Sequence, residues 1–158
     1  MDEYSILVVE DNPDDQVLTV RALKQASNGS EIIVLEDGQQ AIDFLFGPNC
    51  DPDAVLRLGV VLMDIKLPRV NGLEVLRTIR SEPTTNWLPV VMVTSSDEPG
   101  EQIEAYRLGA NSYVRKPVDF SEFTNHMRIL ASYWLQVNRL PPPELVPKTP
   151  QTKGIFSG

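Results

Sequence analysis

The sequence predicts a doubly wound α/β fold, with five parallel strands in one sheet and helices on both faces, three layers in all. Three observations predict it. Short apolar runs alternate with helical patterns five times along the chain, which is the signature of repeated β-α units. The central runs are continuously apolar, as strands buried on both faces are. Proline, glycine and asparagine punctuate the boundaries where helices start and stop.

The elements follow in order. Ser5–Val9 (SILVV) reads as a strand, followed by a helix from Pro13 to Ala26. Asn12-Pro13 places proline in the first turn, where its missing N–H costs nothing. Ile32–Leu35 is the second strand and Gly38–Phe46 its helix. Phe46 to Leu58 holds two prolines and reads as a long loop or a short extra turn. Val60–Met63 lies in an apolar run that begins at Leu58 and ends on Asp64, and a helix from Leu73 to Arg80 follows. Leu88–Val93 and Ser112–Val114 are the fourth and fifth strands, with helices over Glu98–Leu108 and from Phe120 to about Val137. Gly29, Gly72 and Gly109 fall at helix ends or starts.

The last helix carries Phe120, Phe123, Met127, Leu130, Trp134 and Val137, spaced alternately three and four apart. Such a helix is about 27 Å long, whereas a strand of five residues spans about 17 Å. Its end is therefore expected to overhang the sheet and expose Trp134, Leu135, Val137 and Leu140, an apolar patch suited to a symmetric homodimer. Residues 140–154 contain five prolines and no apolar period, so they read as an extended, partly disordered tail. The expected division is a domain at 4–137 and a proline-rich C-terminal tail at 138–158.

Composition narrows the function. The net charge is −8, with 42% hydrophobic and 23% charged residues, an ordinary globular balance. Residues 138–158 are net basic, so the acid excess lies in the domain. That charge argues against nucleic-acid binding. No window is apolar enough for a membrane span, and the acidic start MDEYSILVVE lacks the basic region of a signal peptide. The single Cys50 excludes an intramolecular disulfide and suits a cytoplasmic location.

Asp64 raises the chemical question. A carboxylate closing a buried strand is costly unless something pairs with it. In a parallel sheet all strands end on one edge, where ligand sites form. That edge is expected to gather Glu10 and Asp11, Asp64, Thr94 and Ser95, and Lys116 and Pro117. Three carboxylates close together repel, and a hard divalent cation, Mg²⁺ or Mn²⁺, relieves the repulsion through oxygen ligands. No His or Cys sits at these positions, which excludes a zinc site. Asp64 is then placed as a nucleophile toward phosphorus, with Lys116 and the Thr94 hydroxyl holding phosphoryl oxygens.

These residues carry a resemblance. ILVVEDNP at 6–13, VVLMDIKLPRVNGLEVLRTIR at 60–80, PVVMVTSS at 89–96 and GANSYVRKPVDF at 109–120 together resemble a receiver domain of the two-component response-regulator family, over about residues 4–137. The resemblance implies a flavodoxin-like sheet of strand order 2-1-3-4-5. It implies Asp64 as phosphoacceptor, with Glu10, Asp11, Asp64 and the backbone carbonyl of Lys66 holding Mg²⁺. It implies Thr94 and Tyr113 as switch residues, Lys116 and Ser95 at the phosphoryl group, and a cis bond at Lys116-Pro117. Lys66 and Ser96 occupy the two positions that tune phosphoryl lifetime in such proteins. The implied partner is a sensor histidine kinase. The long connection after the second helix and the ending VDFSEFTNHMRILASYWLQVNRLPPP resemble a single-domain subgroup paired with phytochrome-type kinases. The implied output is a changed surface formed by the helix at Glu98–Leu108, the strand at Ser112–Val114 and the helix from Phe120.

Three other functions fit these residues less well. A haloacid-type phosphatase needs a second Asp two residues after the nucleophile, where this chain has Lys66. A dinucleotide-binding turn would need a Gly-x-Gly pattern, where this chain reads EDNPDD. A phosphorylation-independent binding module would not need the acidic pair, acceptor, hydroxyl and lysine together. The protein is therefore expected to be a signalling switch and not an enzyme.

Overall fold

The computed structural model describes residues 4–27 and 29–148. Five strands, β1 (Ser5–Val9), β2 (Ile32–Leu35), β3 (Leu58–Met63), β4 (Val90–Thr94) and β5 (Ser112–Arg115), form one parallel sheet in the order β2-β1-β3-β4-β5. This is the doubly wound, flavodoxin-like arrangement expected. The helices are α1 (Pro13–Ala26), α2 (Gly38–Phe46), α3 (Pro52–Leu56), α4 (Gly72–Ser81), α5 (Pro99–Arg107) and α6 (Phe120–Ser132). The two-proline connection after α2 thus contains a short helix, α3, capped by the Asp51 side chain.

The period-two alternation of strand side chains divides the interior into two compartments. Leu7, Val9, Val61, Met63, Val90 and Met92 face α2, α4 and α5. Ile6, Val8, Val60, Leu62, Val91 and Val93 face α1 and α6. The central strands β1, β3 and β4 are buried along their whole length, while the edge strands β2 and β5 are mainly half-buried. This is why the central runs read as unbroken apolar stretches.

Four of the helices that follow strands, α1, α2, α4 and α6, begin at an Asx residue in the preceding loop. The side-chain oxygen of Asn12 accepts from the Asp15 N–H (3.0 Å), that of Asp37 from Gln40 (2.7 Å), that of Asn71 from Glu74 (3.1 Å) and that of Asp119 from Ser121 (2.8 Å). Each cap satisfies an amide that the first helical turn leaves without a partner. Behind Asp64 the approach is closer still. A Cβ on Gly72 would lie 2.1 Å from the Asp64 carbonyl oxygen, so only glycine lets α4 start this near the end of β3.

The last helix departs from expectation. The α-helix ends at Ser132 and continues as a π-turn over Tyr133–Val137. Trp134 and Leu135 are half-buried against the α1/α6 compartment, so they do not form the exposed patch. The wider turn inserts extra backbone and swings Leu135 onto Gly59, where a Cβ would come within 2.9 Å of its side chain. Ile129, Tyr133 and Val137 take the exposed positions instead, at 57%, 44% and 60%. Leu140 is half-buried. Residues 138–148 run largely extended with a 3₁₀ turn at Pro143–Leu145, and the Lys148 ammonium reaches the Asp53 carboxylate at 3.1 Å. The remainder of the proline-rich tail, 149–158, lies outside the described residues.

Candidate functional site

The carboxyl edge of the sheet brings together most of the residues singled out in the sequence. Glu10 follows β1 and is 5% exposed; Asp64 follows β3 and is 8% exposed. Glu10, Asp11 and Asp64 can each place a carboxylate oxygen within 4.8 Å of the others. Lys116, following β5, reaches the same point. Its ammonium donates to Glu10 Oε1 at 2.7 Å, Asp15 Oδ2 at 2.8 Å and Asp64 Oδ2 at 3.1 Å. Backbone bonds hold these ends in register: the Asp64 N–H donates to the Val9 carbonyl (3.1 Å), and the Lys116 N–H to the Thr94 carbonyl (2.7 Å).

Charge explains the protonation states. Burial raises the pKa of Glu10, although Lys116 and the Asn12 N–H (3.0 Å) both favour its ionised form. For Lys116, burial acts to lower the pKa, but its hydrogen bonds to Asp15 and Glu10 and the charges of Asp64 and Glu10 more than reverse it, so the ammonium is held above its usual range. Four carboxylates, those of Glu10, Asp11, Asp15 and Asp64, gather here around a single ammonium, which bonds three of them. The excess negative charge and the all-oxygen donor set fit a hard divalent cation such as Mg²⁺ or Mn²⁺.

The switch candidates lie alongside. Thr94 is 1% exposed, and its hydroxyl oxygen accepts from the Ser96 N–H at 3.1 Å. Ser95 is exposed. Tyr113 is half-buried against the compartment under α4 and α5, and its buried hydroxyl makes no hydrogen bond among the described residues. Burial raises its pKa, as do the nearby charges of Glu101, Asp64, Glu98 and Asp97. Above it, α5 buries only Ala105 of its own residues.

One expectation needs amendment. Among the described residues no peptide bond is cis, so Lys116-Pro117 is trans. This is the intrinsically favoured state of an X-Pro bond, and the Lys116 ammonium meets all three carboxylates with it. The Lys66 side chain pairs with Glu98 (3.8 Å) and Glu101 (3.6 Å) and is 62% exposed. Its main chain does pass the acceptor, with the Lys66 N–H 3.4 Å from Asp64 Oδ1.

Sequence reasoning missed Asp15. An acidic residue in the first turn of a helix is ordinarily read as a response to the helix dipole, and that reading hides its second partner. The available signal is its place in the first turn of α1, the turn that opens directly after the acidic pair.

Comparisons with known proteins identify the family. Residues 6–128 match the model of the response regulator receiver domain. The chain is 34% identical over 142 residues to FilR2 of Methanothrix harundinacea, described as a probable methanogenesis regulatory protein, covering 90% of each chain. It is 32% identical over 136 residues to the response regulator Rcp1 of Synechocystis sp., covering 86% of this chain and 92% of that one. The Mn²⁺-bound structure of Rcp1 has a TM-score of 0.78 at 31% identity, covering 88% of this chain and 99% of that one. The phosphorylated cyanobacterial phytochrome response regulator RcpA has a TM-score of 0.80 at 29% identity, covering 90% of this chain and all of that one. A buried carboxylate flanked by an acidic pair, a hydroxyl and a lysine on the sheet's carboxyl edge thus sits in a chain that belongs to the response regulator receiver-domain family of two-component signalling.

Proposed function

We propose that this protein is a phosphoacceptor switch, taking a phosphoryl group from a sensor histidine kinase onto Asp64 in a reaction that requires Mg²⁺ or Mn²⁺. The observation that carries the reading is the convergence of Glu10, Asp11, Asp64 and Lys116 on one sheet edge. An Asp64 oxygen attacks phosphorus, the bond from phosphorus to the kinase imidazole breaks, and the electron pair leaves with the imidazole. Lys116, already bonded to Asp64, receives a phosphoryl oxygen. Glu10, Asp11, Asp64 and the Lys66 carbonyl would hold the cation, which supplies neutralisation of the phosphoryl charge. The chain acts as a signalling protein rather than an enzyme, in the cytoplasm and without nucleic-acid or membrane partners. Among the described residues no helix is long and apolar enough to span a bilayer.

Phosphorylation adds roughly −1.5 to −2 charge within reach of Thr94, Ser95 and Lys116. Thr94 moves toward it, Tyr113 adjusts in the space below the weakly anchored α5, and the α5-β5-α6 surface changes. Charge-assisted bonds worth about 1.5–3 kcal/mol each are enough to invert a conformational gap of a few kcal/mol. Kinases of the phytochrome type suit the likeness to RcpA. Residues 4–137 form the working unit, with 138–158 as its tail.

Intact-mass measurement after exposure to acetyl phosphate tests the chemistry. The wild type should gain one phosphoryl group with Mg²⁺ and none with a chelator, and Asp64→Ala should gain none. Phosphorylation of Asp64→Ala at the wild-type level would falsify the assignment.

The exposed stripe Ile129, Tyr133 and Val137, with Ile103 and Tyr106 of α5 at 52% and 50% exposure, supports a symmetric homodimer through this output face. Sedimentation of wild type and Tyr133→Glu, with and without phosphodonor, tests it. A monomer under every condition at tens of micromolar removes the dimer.

A further inference from the structure

We propose that Asp15 is a positioning residue that holds the Lys116 ammonium in place throughout phosphoryl transfer; this rests on the phosphoacceptor reading above. An ammonium has three N–H donors, and Lys116 spends one each on Glu10, Asp15 and Asp64, at 2.7, 2.8 and 3.1 Å. The reaction claims two of these partners. Glu10 and Asp64 belong to the cluster that fits a cation, and an Asp64 oxygen becomes the acyl-phosphate oxygen. Asp15 is outside that cluster and is the anchor that the chemistry leaves alone.

Its own position is fixed by the fold. Asp15 stands in the first turn of α1, where its N–H is donated to the Asn12 cap at 3.0 Å. α1 in turn packs on the sheet and α6 through Ala22 and Leu23. Asp15 therefore tethers the ammonium to a rigid helix and leaves two N–H groups on the side where Asp64 lies. Without it, Lys116 settles between Glu10 and Asp64 and competes with the cation for both. An ammonium held by one partner that does not change during the reaction needs no reorganisation when phosphorus arrives.

The test measures the rate of mass gain from acetyl phosphate at saturating Mg²⁺, together with the ¹⁵N NMR signal of the Lys116 ammonium in the unphosphorylated protein. Asp15→Ala should slow phosphorylation about tenfold and broaden the Lys116 signal by exchange with water. Asp15→Asn, which keeps a neutral acceptor, should slow it about threefold and carries the test if the alanine variant does not fold. Asp14→Ala removes the same charge from an exposed position one residue earlier and should stay within about twofold of wild type. Wild-type rate and signal in the Asp15 variants overturn the proposal. So does equal slowing by Asp14→Ala, which would make the effect one of net charge. If the wild type takes up no phosphate, the phosphoacceptor reading itself falls; if wild type and Asp15→Ala gain mass equally fast, the positioning role falls alone.

Discussion

Two partly buried cations stand at opposite ends of the sheet and do different work. At the amino end, Arg80 donates to the carbonyls of Gly109 (2.9 Å), Leu88 (2.7 Å) and Asn86 (3.3 Å) and to the Asn111 side chain (2.8 Å). At the carboxyl end, Lys116 donates to three carboxylates. Arg80's partners are neutral and belong mostly to the backbone, so they cannot exchange or change charge. A planar guanidinium suits that task, stapling the end of α4 to the starts of β4 and β5. Lys116's partners are ions that a metal or a phosphoryl group can reclaim, and a compact ammonium can follow them. One end of the sheet is tied into the fold, and the other is kept open to substitution.

The contrast can be broken in four ways. The largest effect expected is on Arg80→Ala, which strands several carbonyls. We expect a loss of about 3 kcal/mol or more in denaturant unfolding, with phosphate uptake per folded molecule unchanged. Next is Lys116→Met. It leaves Glu10 and Asp64 buried without their cation and should cost about 1–3 kcal/mol in the absence of metal. Added Mg²⁺ should close that gap to wild type but leave the Arg80→Ala gap open, and calorimetry should still detect metal binding to Lys116→Met. If Mg²⁺ closes neither gap, the carboxyl edge is not a metal site.

Asp64→Asn should shift stability by no more than about 1 kcal/mol, because it relieves repulsion while losing an ion pair, yet it should abolish phosphate uptake. The smallest effect concerns Tyr113. Its raised pKa means that the folded state keeps a proton the unfolded chain releases near pH 10. Stability should therefore fall as pH rises from about 10 through the folded value. Tyr113→Phe should soften that alkaline decline, and absorbance at 295 nm should place wild-type Tyr113 above an ordinary tyrosine. Identical alkaline slopes in the two proteins contradict a buried phenol.

The sheet, its helices and its carboxyl-edge site were legible because each rests on a local signal. Continuous apolar runs, Asx residues at helix starts and polar residues at strand ends all lie within a few residues of what they determine. Lys116 could be assigned to the edge from its place after β5, but not to its partners. Asp15 approaches it across 101 positions of sequence, and only the packing of α1 beside the β5–α6 connection brings them together. The Lys66 side chain shows the same limit: Glu98 and Glu101 at the start of α5, more than thirty positions on, become its partners only in the folded chain. The seam of the last helix was read as regular because a repeat of threes and fours gives no warning of a π-turn.

That turn behaves as a dislocation in a screw. Each residue of an α-helix advances the chain by about 100°, so a single added or removed residue is a rotation of everything beyond it. The widened turn at Tyr133–Val137 resets the phase just where the helix runs off the sheet. Leu135 is locked into the notch at Gly59, and Tyr133 and Val137 are turned outward. Deleting one residue here would pull Leu135 from that notch and re-aim the terminal face, with the sheet and its carboxyl edge left in place. Chains of one ancestry could acquire different partners by that single step, with no change to the chemistry at Asp64.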